Sequence, residues 1–223
     1  MMIGNGYIVG NGNNFFGIEY EKKLELVYDK INNTNLKFQI VYSKSKKDNE
    51  LGSVNITEYD TLENQNVKKE KIITENVNLK QIWFQSKEIR NNNKALDNLE
   101  KFCYLTIQKF YSDKNFIFGF PQFELSLYTK NCFIANHKDG YDLDEFRLCV
   151  VILYLSKNWQ KGDGGELIII DENNKEILIE PKFGNFAILD FIKNNLKHEV
   201  KKINSDTHNR KALISFMMKK NKN

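Results

Sequence analysis

Four side chains, far apart along the polymer, have types and spacings that could do chemistry together: His137, Asp139, His198 and Arg210. Residues i and i+2 of a strand point to one face, so His137 and Asp139 can bite a single metal ion. His198 opens a much later run, His198-Glu199-Val200, and could close the triangle. Two neutral imidazoles and one carboxylate suit Fe(II) and leave three coordination positions open. No CxxC pair occurs, which argues against a structural zinc site. Oxygen needs one open position, and a 2-oxo acid fills two through its keto oxygen and adjacent carboxylate. A second carboxylate at the far end of that acid needs a buried cation. Arg210 heads Arg210-Lys211-Ala212-Leu213-Ile214-Ser215-Phe216, a mostly apolar run in which a charge is costly unless paired. Its guanidinium pairs with a carboxylate as a two-pronged fork. Lys211, one position on, is the alternative anchor.

These residues need a sheet to carry them. After Pro121, Phe123, Leu125 and Leu127 alternate with Glu124, Ser126 and Tyr128, the period of a strand with one core face and one polar face. Tyr128 lies on the polar face, and a sheet enclosing a polar ligand needs such a face. Apolar runs follow at 147–155, 166–170, 176–180, 185–191, 196–201 and 210–218. Turn signals separate them: Gly162 to Gly165, Asp171 to Asn174, Pro181 to Gly184, and Lys193 to Asn195. Many short strands at this spacing imply a β-sandwich or barrel. No strand–helix alternation is visible, so a Rossmann-type sheet is not expected.

Upstream, Leu24, Val27, Tyr28 and Ile31 keep helical spacing within 19–31. A clearer helix spans 95–111, with Leu96, Leu99, Cys103, Ile107 and Phe110 on one stripe to pack on the sheet. Strands are expected at 36–42, 53–58 and 77–84. Residues 1–17, rich in Gly and Asn, read as irregular, 44–50 as a loop and 60–71 as a polar connection. The fold class is therefore mainly β with supporting helices (α+β). Residues 1–120 are read as an extension packed on the barrel, and residues 121–223 as the core.

At 223 residues the chain can bury a full core without staples. A net charge of +4 is too weak to argue for nucleic acid, and the Lys219, Lys220, Lys222 tail reads as a solvated terminus. The three cysteines, Cys103, Cys132 and Cys149, sit in apolar contexts and read as buried free thiols of a reducing compartment. No run reaches membrane-spanning length and no leader pattern opens the chain, so the cytoplasm is the expected location.

The motifs together resemble the 2-oxoglutarate- and Fe(II)-dependent oxygenases, in particular the egl-nine-like branch of the prolyl hydroxylase superfamily. The matching segments run from Tyr128 through His137-Lys138-Asp139, then Arg147 to Leu155, Trp159 and Gly164-Gly165-Glu166-Leu167. They continue through Ile179 to Phe183, His198-Glu199-Val200 and Arg210, and cover 122–218. The resemblance implies a double-stranded β-helix, or jelly-roll, core with an N-terminal helical and strand extension. It implies Fe(II) on His137, Asp139 and His198, and the distal carboxylate of 2-oxoglutarate on Arg210 and Tyr154, with Tyr128 lining the pocket. It further implies O2 as co-substrate, with ascorbate a candidate accessory. The expected reaction hydroxylates a C–H bond while 2-oxoglutarate loses CO2 to give succinate. A carboxylate at 139, where halogenating relatives carry a small residue, points to hydroxylation.

The spacing from His198 to Arg210 is longer than usual in that branch, so Asn204-Ser205-Asp206 is expected to loop out. Asn131 replaces a usual glycine and tolerates turn geometry. Trp159 and Gly164-Gly165 read as turn-marking residues, His208 as solvated, and Trp83 as part of a cover over the site's mouth. The expected substrate is a prolyl residue in a peptide or protein. The alternatives are a free amino acid or other small metabolite, or a catalytically silent jelly-roll binding module. Neither nucleic acid nor membrane is an expected partner, and the sequence leaves the oligomeric state open.

Overall fold

The computed structural model describes residues 1–45, 54–111, 117–139, 147–191 and 194–220. Most of the loop expected at 44–50, Lys193 of the fourth turn signal and Lys222 of the basic tail lie outside these residues. The elements in chain order are β1 (Met2–Gly4), β2 (Tyr7–Asn11), α1 (Asn13–Phe16), α2 (Tyr20–Asn32), β3 (Gln39–Lys44) and β4 (Asn55–Ile56). Next come α3 (Leu62–Glu75), β5 (Leu79–Ser86), α4 (Lys94–Phe110), β6 (Ile117–Phe118), β7 (Glu124–Tyr128), β8 (Phe133–His137) and β9 (Arg147–Tyr154). Last are β10 (Leu167–Ile170), β11 (Glu176–Ile179), β12 (Asn185–Asp190), β13 (Lys197–Val200) and β14 (Arg210–Lys220).

The strands join one sheet in the order β1-β2-β12-β9-β14-β7-β5-β8-β13-β10-β11, all pairs antiparallel. The sheet curls until β10 and its neighbours face β14. Gly165, just before β10, shows this closure: a Cβ there would lie 3.2 Å from Arg210 Cβ. The result is the jelly roll that the family resemblance implies, within the sandwich-or-barrel class expected from the strand spacing.

The helices cover the outer face. Helix α4 buries Leu96, Leu99, Cys103 and Ile107, four of its five expected stripe residues, and packs on α2, which buries Tyr20, Leu24, Val27 and Ile31. The Asn93 side chain caps α4 by accepting from Leu96 N at 3.1 Å. Glu100, 1% exposed on α4, accepts from Phe123 N at 2.7 Å and pairs with Arg90, which pins the start of β7. All three cysteines are buried and unpaired, as expected. Among the described residues no helix is long and apolar enough to cross a membrane.

Two readings of the N-terminal part need correction. Residues 1–17 are not irregular, because β2 pairs with β12 over five positions and extends the main sheet. Their glycines serve turns and close packing: Gly6 has φ +98, and a Cβ on Gly12 would strike the Tyr20 ring. Residues 60–71 are not a connection but most of α3. The fully buried residues of this helix are Gln65 and Lys69, with Leu62, Ile72 and Ile73 only partly buried against the core. Gln65 Nε2 donates to the carbonyls of Phe38 and Glu58, both at 2.7 Å. Lys69 Nζ donates to Thr129 Oγ1 at 3.0 Å and to Lys130 O at 2.8 Å. Helix α3 is fastened by polar side chains that reach backbone, which hydrophobic periodicity does not register.

Candidate metal centre and co-substrate pocket

Strand β8 ends at His137, and Asp139 follows two residues on. Strand β13 lies beside β8 with His198 opposite His137 and Val200 opposite Ile134. Three residues of β8 thus span two of β13. The bulge keeps Ile134 and His137 on one face and turns the chain toward Asp139. Asn195 Nδ2 donates to Asp139 O at 3.1 Å and holds that turn.

The three side chains converge. His137 Nε2 lies 3.5 Å from Asp139 Oδ1, and His198 Nε2 lies 3.7 Å from Asp139 Oδ2. The imidazole centroids are 4.4 Å apart, and one ligand atom from each residue falls within 4.8 Å of the others. Both rings are oriented in the same way. His137 Nδ1 sits 2.9 Å from Ala135 O, and His198 Nδ1 sits 3.1 Å from Leu196 O. A carbonyl can only accept, so each Nδ1 carries the proton and each Nε2 presents a lone pair to the shared point. Burial holds the His198 imidazole below its ordinary pKa, outweighing the opposing pull of Asp139. It is therefore neutral, as a metal ligand must be. The donor set fits an Fe(II) ion with an open flank.

Arg210 opens β14 and is 1% exposed, yet its Nε and Nη1 complete no hydrogen bond among the described residues. Its guanidinium lies 4.5 Å from the centroid of Tyr128 and 5.2 Å from that of Tyr154. The register explains this grouping. Arg210 pairs with Tyr128 across β7, while Ala212, next on the same face, pairs with Tyr154 across β9. Tyr154 is fully buried, and its hydroxyl completes no hydrogen bond of full geometry among the described residues, the Arg210 guanidinium being the polar group it interacts with. Burial pushes the Tyr128 phenol up to about 12 and raises that of Tyr154, with the Arg210 charge pulling both back. Both phenols are thus protonated donors. A buried cation that the protein's own groups compensate incompletely, beside a buried phenol, is suited to a carboxylate. The pocket fits 2-oxoglutarate.

Lys211 points the other way. Its Nζ donates to Asn32 Oδ1 on α2 at 3.0 Å and sits 5.9 Å from the Tyr28 ring, on the outer face. Strand alternation therefore separates the two candidates for an anchor, and Arg210 is the one that faces the pocket.

The long segment between His198 and Arg210 is stitched down. Ile203 N donates to Cys132 O and Asn131 N to Ile203 O, each at 3.0 Å. Asn204 N and Ser205 N both reach Asp163 O, at 2.8 and 3.3 Å. His208 is not simply solvated: its Nδ1 lies 2.9 Å from Asp163 Oδ2. Polar loop residues give no sign in sequence of which distant loop they meet. Asn131 adopts φ 69, the turn geometry expected of it. Gly164 has φ 80 and lies so close to Lys202 that a Cβ would be 2.0 Å from its carbonyl oxygen, while Trp159 Nε1 donates to Gly164 O at 2.7 Å. These residues mark a turn, as read. Trp83, half-buried on β5, lies parallel to the Tyr128 ring with centroids 6.3 Å apart.

Residues 123–218 match the family model of the 2OG-Fe(II) oxygenase superfamily. A search among curated protein sequences finds no match. Among solved structures, a prolyl hydroxylase from Trichoplax adhaerens in complex with a hypoxia inducible factor peptide fragment is 17% identical. It aligns over 96% of this chain and 84% of its own, with TM-score 0.57. A prolyl-4-hydroxylase of Pseudomonas putida is 21% identical over 59% of this chain and 68% of its own, with TM-score 0.52. A viral collagen prolyl hydroxylase from Paramecium Bursaria Chlorella virus-1, solved as its 2OG complex, is 12% identical over 98% of both chains, with TM-score 0.52. The segment that carries the metal centre and the pocket belongs to the 2OG-Fe(II) oxygenase superfamily, with Fe(II), 2-oxoglutarate and O2 as the group's reactants.

Proposed function

We propose that this oxygenase hydroxylates a prolyl residue of a peptide or protein, in the manner of the egl-nine-like branch. His137, Asp139 and His198 would hold Fe(II), which with O2 and 2-oxoglutarate supplies the oxidant for a C–H bond as the 2-oxo acid becomes succinate and CO2. The chain's own part is positional. The two Nδ1–H bonds to backbone carbonyls aim both Nε2 lone pairs at one point. Arg210 takes the distal carboxylate of 2-oxoglutarate, with Tyr154 and Tyr128 beside it. The buried side chains of Ile169, Ile177 and Val200, on the sheet face that carries His198, would keep water from the site.

The observation that carries the co-substrate reading is the buried, incompletely compensated guanidinium, in the same sheet interior as the triad. The prolyl reading is supported by the His137-to-Arg210 motif set and by the likeness to hydroxylases described as acting on collagen or crystallised with a peptide. The test is purified protein with Fe(II), 2-oxoglutarate and O2, following succinate and substrate mass. Prolyl peptides should raise succinate above the substrate-free level and gain one oxygen atom. Turnover confined to a free amino acid or metabolite would replace the peptide reading with a small-molecule one.

A further inference from the structure

Ser126 lies in the middle of β7, 3% exposed, and its Oγ completes no hydrogen bond of full geometry among the described residues, the Tyr128 phenol two positions on being the polar group it interacts with. Polar groups so deeply buried are normally satisfied, and one that is not calls for a physical reason. Its surroundings supply one. Ser126 pairs with Ala212 across β14, and Ala212 pairs with Tyr154 on its other side. A methyl group therefore separates two hydroxyl-bearing side chains, and Arg210 is the next residue on that face of β14. Arg210 Nε and Nη1, the Tyr154 hydroxyl and Ser126 Oγ are all buried without a hydrogen bond of full geometry among the described residues, and Ser126 and Tyr154 flank Ala212 on the two strands beside it. The other cross-strand neighbour of Ser126 is Gln85, whose amide is already engaged with Glu124.

A carboxylate offers about four lone-pair sites on its two oxygens. The guanidinium fork and one phenol leave at least one of them unfilled. We propose that Ser126 is a further ligand of the co-substrate, donating its hydroxyl to the distal carboxylate of 2-oxoglutarate alongside Arg210 and Tyr154. This rests on the pocket assignment made under the proposed function, and it assigns the polar face of β7 a contact beyond Tyr128.

Ser126→Ala removes one oxygen atom and leaves the strand intact. The experiment is calorimetric titration of the full, Mn(II)-loaded chain, which needs no turnover. Loss of a hydrogen bond to a charged acceptor should weaken 2-oxoglutarate binding by about five- to twenty-fold. The same variant should bind 2-oxopentanoate, which has the same carbon chain without the distal carboxylate, as wild type does. Unchanged affinity for 2-oxoglutarate would overturn the assignment. So would equal weakening for both acids, because that would mark Ser126 as a packing residue. If wild type itself bound no 2-oxoglutarate, the pocket assignment would fail first, a result distinct from either of these.

Discussion

Arg210 and Tyr128 are directly opposed on adjacent antiparallel strands, and the guanidinium lies 4.5 Å from the centre of the phenol ring while its Nε and Nη1 complete no hydrogen bond of full geometry among the described residues. A ring face favours a cation but does not replace a carboxylate. The ligand-free fold therefore holds an incompletely compensated charge. Arg210→Met should leave the thermal midpoint of the ligand-free protein unchanged or raised, and should abolish the rise that 2-oxoglutarate with Mn(II) causes in wild type. Scanning calorimetry with and without the acid checks both parts. A lowered midpoint without ligand would mean that the guanidinium is satisfied within the fold.

Lys211 provides the matched control. It differs from Arg210 by one position, and hence by one face of β14. Lys211→Ala should change 2-oxoglutarate affinity by less than about twofold and stability by no more than about 1 kcal/mol. Titration against wild type and urea unfolding measure these. A large loss of affinity would show that the strand is out of register in solution.

Lys69 is the polar rivet between α3 and the turn after β7. Its ammonium is 3% exposed and bonds Thr129 Oγ1 and Lys130 O. Lys69→Met keeps the stem but leaves the buried Thr129 hydroxyl and the Lys130 carbonyl without this donor. The expected loss is about 1–3 kcal/mol in urea unfolding. An undiminished stability would mean that water replaces the ammonium freely.

The metal-free protein should also respond to mild acid through His198. Burial depresses its pKa in the folded state, below the ordinary 6.5 it keeps when unfolded. As pH falls below that ordinary value, the unfolded chain binds a proton that the folded chain refuses, and stability is lost. Above it the two states bind equally and the contribution vanishes. Urea midpoints of metal-free wild type should therefore fall from about pH 7 to about pH 5.5, and those of His198→Leu should fall less. Parallel curves would remove His198 as the cause.

Much of this was readable in residue order because the relevant physics is local. The strand period around Leu125 and Leu127 placed Tyr128 and Ser126 on one face, and the stripe from Leu96 to Ile107 placed α4. His137, Asp139 and His198 were readable because all three belong to one motif set, although Asp139 lies just past the end of β8 rather than on a strand face shared with His137. What stayed hidden depended on partners distant in sequence. Gln65 and Lys69 look like surface residues until the carbonyls they reach are known. The Gly-rich start becomes strand only because β12 offers it an edge. The choice between Arg210 and Lys211 needed the register with β7, and the role proposed for Ser126 needed the registers that set Ala212 between it and Tyr154.

The central claim is that a single cation is held jointly by His137, Asp139 and His198, whose ligand atoms lie within 4.8 Å of one another. Anaerobic titration of the purified chain with Fe(II) tests it most directly. One ion should bind per chain in wild type, with little or none in Asp139→Ala or His198→Ala proteins that retain their fold by circular dichroism. Equal binding in wild type and both variants would contradict the account.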